Sequence, residues 1–166
     1  MSKCIILVGA TGTGKTTYVK QNILSNLPRM KKLIYDVNNE YKEYRGSIFM
    51  PIKDFLKKAN ECTNTIIMYE EATIFFKHNN QSTDITEQLV RKRHTNNLFI
   101  FNFHSLRQVP LYILDFCNYI VIKNTVDNHK NVEDKFKDFE AIYQAFERVR
   151  EESNTNKYAL EEVILQ

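Results

Sequence analysis

Near the amino terminus, three glycines alternate with small residues and are followed at once by a lysine and a threonine. This stretch, Gly9–Thr16, reads GATGTGKT and matches the pattern GxxxxGK[ST]. Glycines can adopt backbone angles that turn successive N–H groups toward phosphate oxygens, and a helix that begins there adds the positive end of its dipole. The pattern predicts a nucleotide phosphate site formed by Gly9, Ala10, Thr11, Gly12, Thr13, Gly14, Lys15, Thr16 and Thr17.

Two acids follow a later apolar run, Thr65–Tyr69. A phosphate site of this kind needs a carboxylate at the end of a neighbouring strand to hold magnesium, and a second acid to orient the attacking water. We expect Lys15 to reach the β and γ phosphates, Thr16 and Glu70 to hold Mg²⁺, and Glu71 to activate the water. The alternative is that Glu70 and Glu71 are two solvated glutamates at the start of a helix.

Short apolar runs alternate with segments of helical periodicity, which predicts a three-layer α/β domain with a mainly parallel central sheet. One helix should begin at Asp84 as its cap, and another at Asn131, with apolar residues continuing to Val149. The predicted strands are Cys4–Val8, Leu33–Tyr35, Thr65–Tyr69, Leu98–Phe103 and Tyr119–Ile122, and the other predicted helices run from Thr16 to about Leu27 and around Ile52–Ala59.

The composition fits one globular domain. The chain has 166 residues, of which 43% are hydrophobic and 26% charged, with a net charge of +3. We predict one domain over residues 1–150 and a short extension over 151–166, whose conformation the sequence leaves open. Three widely spaced cysteines suggest neither disulfides nor a zinc site, and no apolar run is long enough to span a membrane. These features predict a cytoplasmic protein without a transmembrane segment.

The stretch Arg93–Pro110, RHTNNLFIFNFHSLRQVP, resembles the FtsK-HerA type of ATPase, which includes small packaging ATPases of viruses and ATPases of the Zot type. The resemblance extends to the phosphate loop, to Asp36 with the turn NNEY at 38–41, and to Glu70 and Glu71. It implies a P-loop NTPase fold of the RecA/ASCE type that uses ATP and Mg²⁺.

The resemblance also implies individual roles. Arg93 corresponds to the arginine finger that this family supplies to a neighbouring subunit, and His104 stands where the family usually has a sensor glutamine. Because a histidine differs from a glutamine in reach and can titrate, Asn102, two residues earlier on the same strand face, is an alternative sensor. The implied catalytic set is Lys15, Glu71, Arg93 and His104.

The resemblance implies an oligomeric motor that moves double-stranded DNA in viral or phage genome packaging. Its partners would be further copies in a ring, DNA, and a viral portal, capsid or membrane assembly component. Its location would be the host cytoplasm, with association to the virion as an alternative. Three basic clusters could contact DNA. They are Arg29 with Lys31 and Lys32, Lys53 with Lys57 and Lys58, and Arg91 to Arg93.

Two other functions are compatible with a phosphate loop in a chain of this length. A small nucleoside or nucleotide kinase would need an arginine-bearing lid, but the candidate segment, Arg107–Asp115, has one arginine. An assembly factor that binds ATP without hydrolysing it would not need two acids placed for metal and water.

Overall fold

The computed structural model describes residues 3–77 and 79–165, without the side chains of 79–81. The strands are β1 Lys3–Val8, β2 Lys31–Tyr35, β3 Ser47–Ile48, β4 Thr65–Tyr69, β5 Leu98–Phe103, β6 Tyr119–Lys123 and β7 Leu160–Ile164. The α-helices are α1 Lys15–Tyr18, α2 Ile52–Glu61, α3 Asn79–Thr95, α4 His129–Lys135 and α5 Glu140–Glu152. A π-helical stretch, Val19–Leu24, continues α1, and 3₁₀ turns occupy Ala72–Phe76, Leu106–Gln108 and Leu111–Phe116.

Across the described ranges, the seven strands form one sheet in the order β3-β2-β4-β5-β1-β6-β7. Strand β2 pairs in parallel with β3 and β4, and β4 with β5, whereas β7 runs antiparallel to β6. A mainly parallel sheet with flanking helices confirms the predicted α/β class and P-loop NTPase fold. One detail was wrong: β5 stands between β1 and β4 in the strand order, so the strand that precedes the acids is not the immediate neighbour of β1.

The chain divides into two compact units, which are described separately. The first contains the start of β1 and Leu27–Asn102. Its core is aromatic where the strands end: Tyr35 of β2 is in register with Tyr69 of β4, and Tyr69 with Phe101 of β5. The Tyr69 and Phe101 rings stack with centroids 4.9 Å apart, and Phe75 packs edge-on against Tyr69 at 4.8 Å. This cluster fixes the carboxyl ends of three strands relative to one another.

The second unit contains Ile6–Asn26 and the chain from Phe103 onward. Its carboxyl-terminal segment, left open by the sequence, forms β7, which pairs with β6 from Lys123↔Leu160 to Tyr119↔Ile164. Helix α5 packs its buried face, Ile142, Ala145, Phe146 and Val149, under these strands. The predicted helix after the phosphate loop is present, but its second half is π-helical.

Two predicted helix starts were wrong. Helix α3 begins at Asn79, so Asp84 lies inside it and caps nothing; Ile85 and Leu89, both fully buried, anchor a helix whose first turns carry no apolar signal. The cap of α4 is Asn128, whose side chain accepts a hydrogen bond from the Lys130 N–H at 3.0 Å, not Asn131. The predicted long helix also breaks between α4 and α5.

The reason for the break lies in two phenylalanines. The backbone leaves helical geometry at Phe136, with φ −105° and ψ 23°, and again at Phe139, with φ −129° and ψ 57°. The Phe139 N–H donates to the Phe136 carbonyl at 2.7 Å, which closes a tight turn. Phe136 and Phe146 are buried on the two sides of this turn. Of the apolar stripe predicted as core, Val132, Phe136, Phe146 and Val149 are buried, whereas Phe139 and Tyr143 are half-buried.

Candidate functional site

The phosphate loop, Gly9–Thr16, follows β1 directly and lies in the second unit. Gly12 and Gly14 have positive φ angles, +80° and +82°, which disfavour any residue with a side chain. Gly9 has no positive φ angle, and a glycine is needed there for space instead. A Cβ at Gly9 would lie 2.8 Å from both the Lys123 Cβ and the Thr13 Oγ1. The glycines thus serve two purposes, two for backbone angle and one for close packing.

Several hydrogen bonds hold the loop in place. The Gly9 N–H donates to the Phe103 carbonyl at 3.1 Å and the Ala10 N–H to the Asn124 carbonyl at 2.8 Å, which ties the loop to the last residue of β5 and to the residue after β6. The Lys15 ammonium group, 8% exposed, donates to the Gly9 carbonyl and, at 3.1 Å, to the Ala10 carbonyl. These contacts occupy the N–H groups of Gly9 and Ala10, and the Thr13 N–H donates to the Ala10 carbonyl at 3.4 Å, so phosphate contacts would come from other N–H groups of the loop.

A lysine that sequence reasoning missed adjoins this loop. Lys123, the last residue of β6, is 3% exposed, and its Nζ lies 3.9 Å from the position that a Cβ on Gly14 would take. Burial lowers the pKa of this ammonium group. The Tyr158 ring also contacts Gly14, at 3.1 Å from the same position. The signal that the sequence offered for Lys123 was its position, as a charged residue directly after the apolar run Tyr119–Ile122.

In the first unit, three polar residues lie at the carboxyl ends of β2, β4 and β5, each directly after an aromatic residue of the cluster. They are Asp36, Glu70 and Asn102, which we call the polar row; each comes one position after Tyr35, Tyr69 or Phe101. Since side chains alternate along a strand, the polar row faces away from the aromatic cluster. All three are nearly buried, at 4%, 6% and 3% exposure. A row of buried polar groups at one sheet edge needs partners or a function.

Asp36 finds its partners within the protein. Its carboxylate accepts the N–H groups of Glu40 and Tyr41, each at 2.9 Å, and the Ser47 hydroxyl. These bonds close the turn at 38–41, which resembles the acidic turn of the FtsK-HerA type. Asn39 in this turn has a φ of +58°. Asp36 is therefore a structural residue that shapes this turn.

Glu70 is held differently. Its carboxylate has the Asn38 amide at 3.5 Å from both oxygens, and burial, reinforced by the negative charge of Glu40, raises its pKa to about 6. Glu71, half-buried, follows it and precedes the 3₁₀ turn Ala72–Phe76. A buried carboxylate with a raised pKa fits a cation, because a positive charge would reverse the cost of its ionisation. Glu70 can therefore supply one carboxylate ligand to a divalent metal ion.

The two sensor candidates differ in environment. Asn102 is buried, and its Oδ1 has no hydrogen-bond partner in the structure. Such an orphaned acceptor costs about 1–3 kcal/mol in a folded protein. His104 lies beyond the end of β5, is half-exposed, and its backbone N–H donates to the Gln108 side chain at 3.2 Å. The unmet hydrogen-bonding capacity therefore resides at Asn102.

Arg93 is exposed in the last turn of α3. That helix ends beside the amino end of β4, because the Asn64 N–H donates to the Thr95 carbonyl at 2.8 Å and the Thr65 N–H to the Asn97 side chain at 3.0 Å. Glu70 follows the opposite, carboxyl end of β4. The structure therefore does not bring Arg93 and Glu70 together within this unit.

The basic clusters proposed from sequence separate into exposed and structural lysines. Lys53, Lys57 and Lys58 are all exposed on α2. Lys32 instead donates to the carbonyls of Leu27 and Pro28, at 3.1 and 2.9 Å. Lys92 is 8% exposed, so it divides the third cluster. Within the described ranges, no helix has the length and apolar character to cross a bilayer.

Solved structures with the same fold include viral packaging proteins. No family model matches the chain, and no curated protein matches its sequence. The genome packaging NTPase B204 from Sulfolobus turreted icosahedral virus 2, in complex with AMPPCP, is 18% identical with a TM-score of 0.78, covering 98% of this chain and 92% of that one. The same protein in complex with ATP-gammaS gives 16% identity and a TM-score of 0.75, covering 99% and 93%.

A third match is B204 from Sulfolobus Turreted Icosahedral Virus, described as a DNA-packaging ATPase. It is 14% identical with a TM-score of 0.76, over 99% of this chain and 94% of that one. The chain has the fold of these packaging NTPases. The similarity covers nearly all of both chains, which agrees with the resemblance identified at Arg93–Pro110.

Proposed function

We propose that this protein is a magnesium-dependent ATPase that works as an oligomeric motor on double-stranded DNA, in the packaging of a viral or phage genome. One observation carries the proposal: a phosphate loop with the required glycine geometry stands on a fold that matches a packaging NTPase over 98–99% of the chain. B204 is described as a genome packaging NTPase, and this chain is similar to it in fold.

We assign the binding of ATP to the phosphate loop. N–H groups between Thr11 and Thr16 would cradle the phosphates, while those of Gly9, Ala10 and Thr13 hold the loop in shape through their own hydrogen bonds. Lys15, now bonded to two loop carbonyls, would turn its ammonium group to the β and γ phosphates. Thr17 follows at the start of the helix. A cation at this point stabilises charge that develops on the phosphoryl oxygens.

We assign metal binding to the Thr16 hydroxyl and the Glu70 carboxylate. Mg²⁺ would neutralise charge on the phosphates during transfer. With a pKa of about 6, Glu70 is mostly ionised at pH 7 and can serve as a ligand. Glu71 would accept a proton from the attacking water, since it is the half-buried acid beside the metal ligand and has no other assigned role.

Arg93 would serve a neighbouring subunit. It is exposed at the end of α3 and lies toward the opposite end of β4 from its own Glu70. An exposed arginine that is remote from its own site is suited to act across an interface, and subunits joined head to tail in a closed ring would supply that interface at every site. A portal, capsid or membrane assembly component would hold such a ring during packaging.

We assign the sensor role to Asn102 ahead of His104. A sensor must hydrogen-bond the terminal phosphate or the attacking water, and the unpartnered acceptor at Asn102 can bind a water. His104 remains the alternative because it follows Asn102 by two residues, just beyond the end of β5. DNA contact is assigned to the exposed lysines of α2, Lys53, Lys57 and Lys58.

The test is ATP hydrolysis with and without long duplex DNA over a range of protein and salt concentrations. A motor should be stimulated by duplexes of any sequence, and stimulation should fade with salt because phosphate contacts release counterions. Activity should also rise steeply with protein concentration if the site is completed by a neighbour. Turnover that depends on a nucleoside or nucleotide acceptor and ignores DNA would instead indicate a kinase. ATP binding without any turnover would indicate the assembly-factor function.

A further inference from the structure

An open cavity of about 390 Å³ adjoins the phosphate loop within the second unit, and none of the roles above uses it. It meets the loop at Gly14 and Thr17, the helix side of the loop. The volume falls in the range of small-molecule sites, about 300–1,000 Å³. The side chains and backbone that matter to the argument are Gly14, Tyr18, Gln21, Asn22, Lys123 and Tyr158.

We propose that this cavity holds the base and ribose of a purine nucleoside triphosphate, with the Tyr158 ring as the stacking platform. The inference rests on the proposed function, because it requires the phosphates to be held by the loop. A nucleotide anchored there carries its nucleoside beyond the α-phosphate, which such loops hold together with the β-phosphate. This cavity adjoins the loop directly, so the nucleoside can extend into it.

The position of Tyr158 supports a binding role. Its ring is 60% exposed yet lies against Gly14, so it contributes little to the core. An exposed aromatic ring beside a phosphate site offers a face to a nucleobase, and stacking is strong for any base. The Lys157 ammonium lies 5.8 Å from the ring centroid and adds positive charge.

The backbone that carries this ring is fixed by bonds to the rest of the unit. Lys123 Nζ donates to the Tyr158 carbonyl at 3.3 Å, and Leu160 pairs with Lys123 in the sheet. The Tyr18 hydroxyl, on the helix after the phosphate loop, donates to the Glu162 carboxylate of β7. The segment after α5 is thus attached both to β6 and to the phosphate-loop helix, which holds the platform in position before a nucleotide binds.

The chemistry of the cavity indicates which bases it accepts. None of its eight lining residues is acidic, and the Glu162 carboxylate beside Tyr18 already accepts the Tyr18 hydroxyl, so the lining offers no carboxylate to pair with the N1–H and amino group of guanine. The amides of Gln21 and Asn22 can both donate and accept, and therefore suit either purine. We expect ATP and GTP to bind with affinities within about tenfold of each other.

The experiment compares binding of ATP, GTP and inorganic tripolyphosphate, which lacks a nucleoside, by calorimetry. The variants are Tyr158→Ala, Tyr158→Phe and Tyr158→Leu, with Lys15→Ala as a phosphate-site variant and Tyr112→Ala as a control at a tyrosine of comparable exposure, 43%. Tyr158→Ala should weaken ATP and GTP about tenfold and change tripolyphosphate less than twofold. Tyr158→Phe should bind as the unmodified protein does, and Tyr158→Leu should fall between.

The outcomes separate the two hypotheses. If neither ATP nor tripolyphosphate binds, or if Lys15→Ala weakens neither, the proposed function fails and this inference with it. A second outcome is that Lys15→Ala weakens both ligands but the Tyr158 variants leave the ratio of ATP to tripolyphosphate affinity unchanged. If those variants also melt at the same temperature as the unmodified protein, only the nucleoside cavity is overturned. A preference above tenfold between ATP and GTP would overturn the absence of base selection.

Discussion

The phosphate loop and the polar row differ in how the chain assembles them. The loop is one run of consecutive residues, Gly9–Thr16, whose geometry follows from glycines at set positions. The polar row takes one residue from the carboxyl end of each of three strands, β2, β4 and β5, and exists only because Tyr35, Tyr69 and Phe101 are in register. A local motif can therefore bind phosphate on many sheets, whereas the row depends on correct strand pairing.

The two regions also differ in charge and in cost. The loop carries a lysine whose ammonium group bonds to carbonyls of the loop itself. The polar row carries a carboxylate with a raised pKa and an amide oxygen without a partner. Buried groups of the second kind destabilise a fold unless a ligand meets them. Under the proposed function, nucleotide binding belongs to the loop, and metal binding and sensing belong to Glu70 and Asn102 of the polar row, a division that the following experiments test.

The largest effect should come from the loop. Lys15→Ala should abolish measurable ATP hydrolysis and weaken ATP binding, because charge on the phosphates loses its direct cation. The measurements are ADP release and calorimetric titration with ATP. Lys137→Ala, which removes an exposed lysine, is the control and should hydrolyse normally. Normal turnover of the Lys15 variant would remove the loop from the mechanism.

Arg93→Ala should fold, bind ATP and lose about 10³–10⁵ in rate, or about 4–7 kcal/mol. Glu71→Gln should also bind ATP but hydrolyse poorly, since an amide cannot accept the proton. Mixed together, the two inactive proteins should recover some activity, because some interfaces then pair an intact acid with an intact arginine.

The control for Arg93 is Arg150→Ala, an exposed arginine at the end of α5. Activity should not recover when the Glu71→Gln protein is mixed with a protein that carries both Arg93→Ala and Glu71→Gln. If exchange of subunits is verified and no activity returns, Arg93 does not act across subunits.

A smaller effect should distinguish the sensors. Asn102→Ala should lower kcat by about 10²–10³ with little change in ATP affinity, as for the loss of one positioned polar group in a transition state. His104→Ala should lower it by less than tenfold. The reverse ranking would assign the sensor role to His104, and thus to the second unit.

The smallest effect concerns stability. Because the folded protein raises the pKa of Glu70 to about 6 from 4.5, folding favours the protonated form, and stability falls as pH rises from about 4.5 through 6. Without metal or nucleotide, Glu70→Gln should remove this loss. The unfolding free energy of the variant, relative to that of the unmodified protein, should therefore be about 1 kcal/mol higher at pH 8 than at pH 5. That corresponds to about 2–4 °C in Tm.

Thermal melts at the two pH values test this, with the exposed Glu133→Gln as the control. Adding Mg²⁺ with a nonhydrolysable ATP analogue should reverse the order, because only the carboxylate binds the metal well. A Glu70 variant whose advantage is equal at both pH values would contradict the electrostatic origin.

The sequence by itself determined the phosphate loop, the strands that were predicted from it, the α/β class, and the acids that follow β4. These are local patterns, since glycine geometry and apolar runs act over a few residues. The sequence did not predict the start of α3, placed at Asp84, because the first turns of that helix are polar. It also did not predict the two helices α4 and α5 in place of one helix from Asn131, because the break between Phe136 and Phe139 leaves no periodic signal.

Only the tertiary structure decided the rest. Strand register set Glu70 and Asn102 side by side, chain reversal carried Tyr158 to Gly14, and the direction of α3 separated Arg93 from its own Glu70. These relations join residues far apart in the chain, and they follow from hydrogen-bond register and packing over the whole sheet. No short stretch of sequence encodes them.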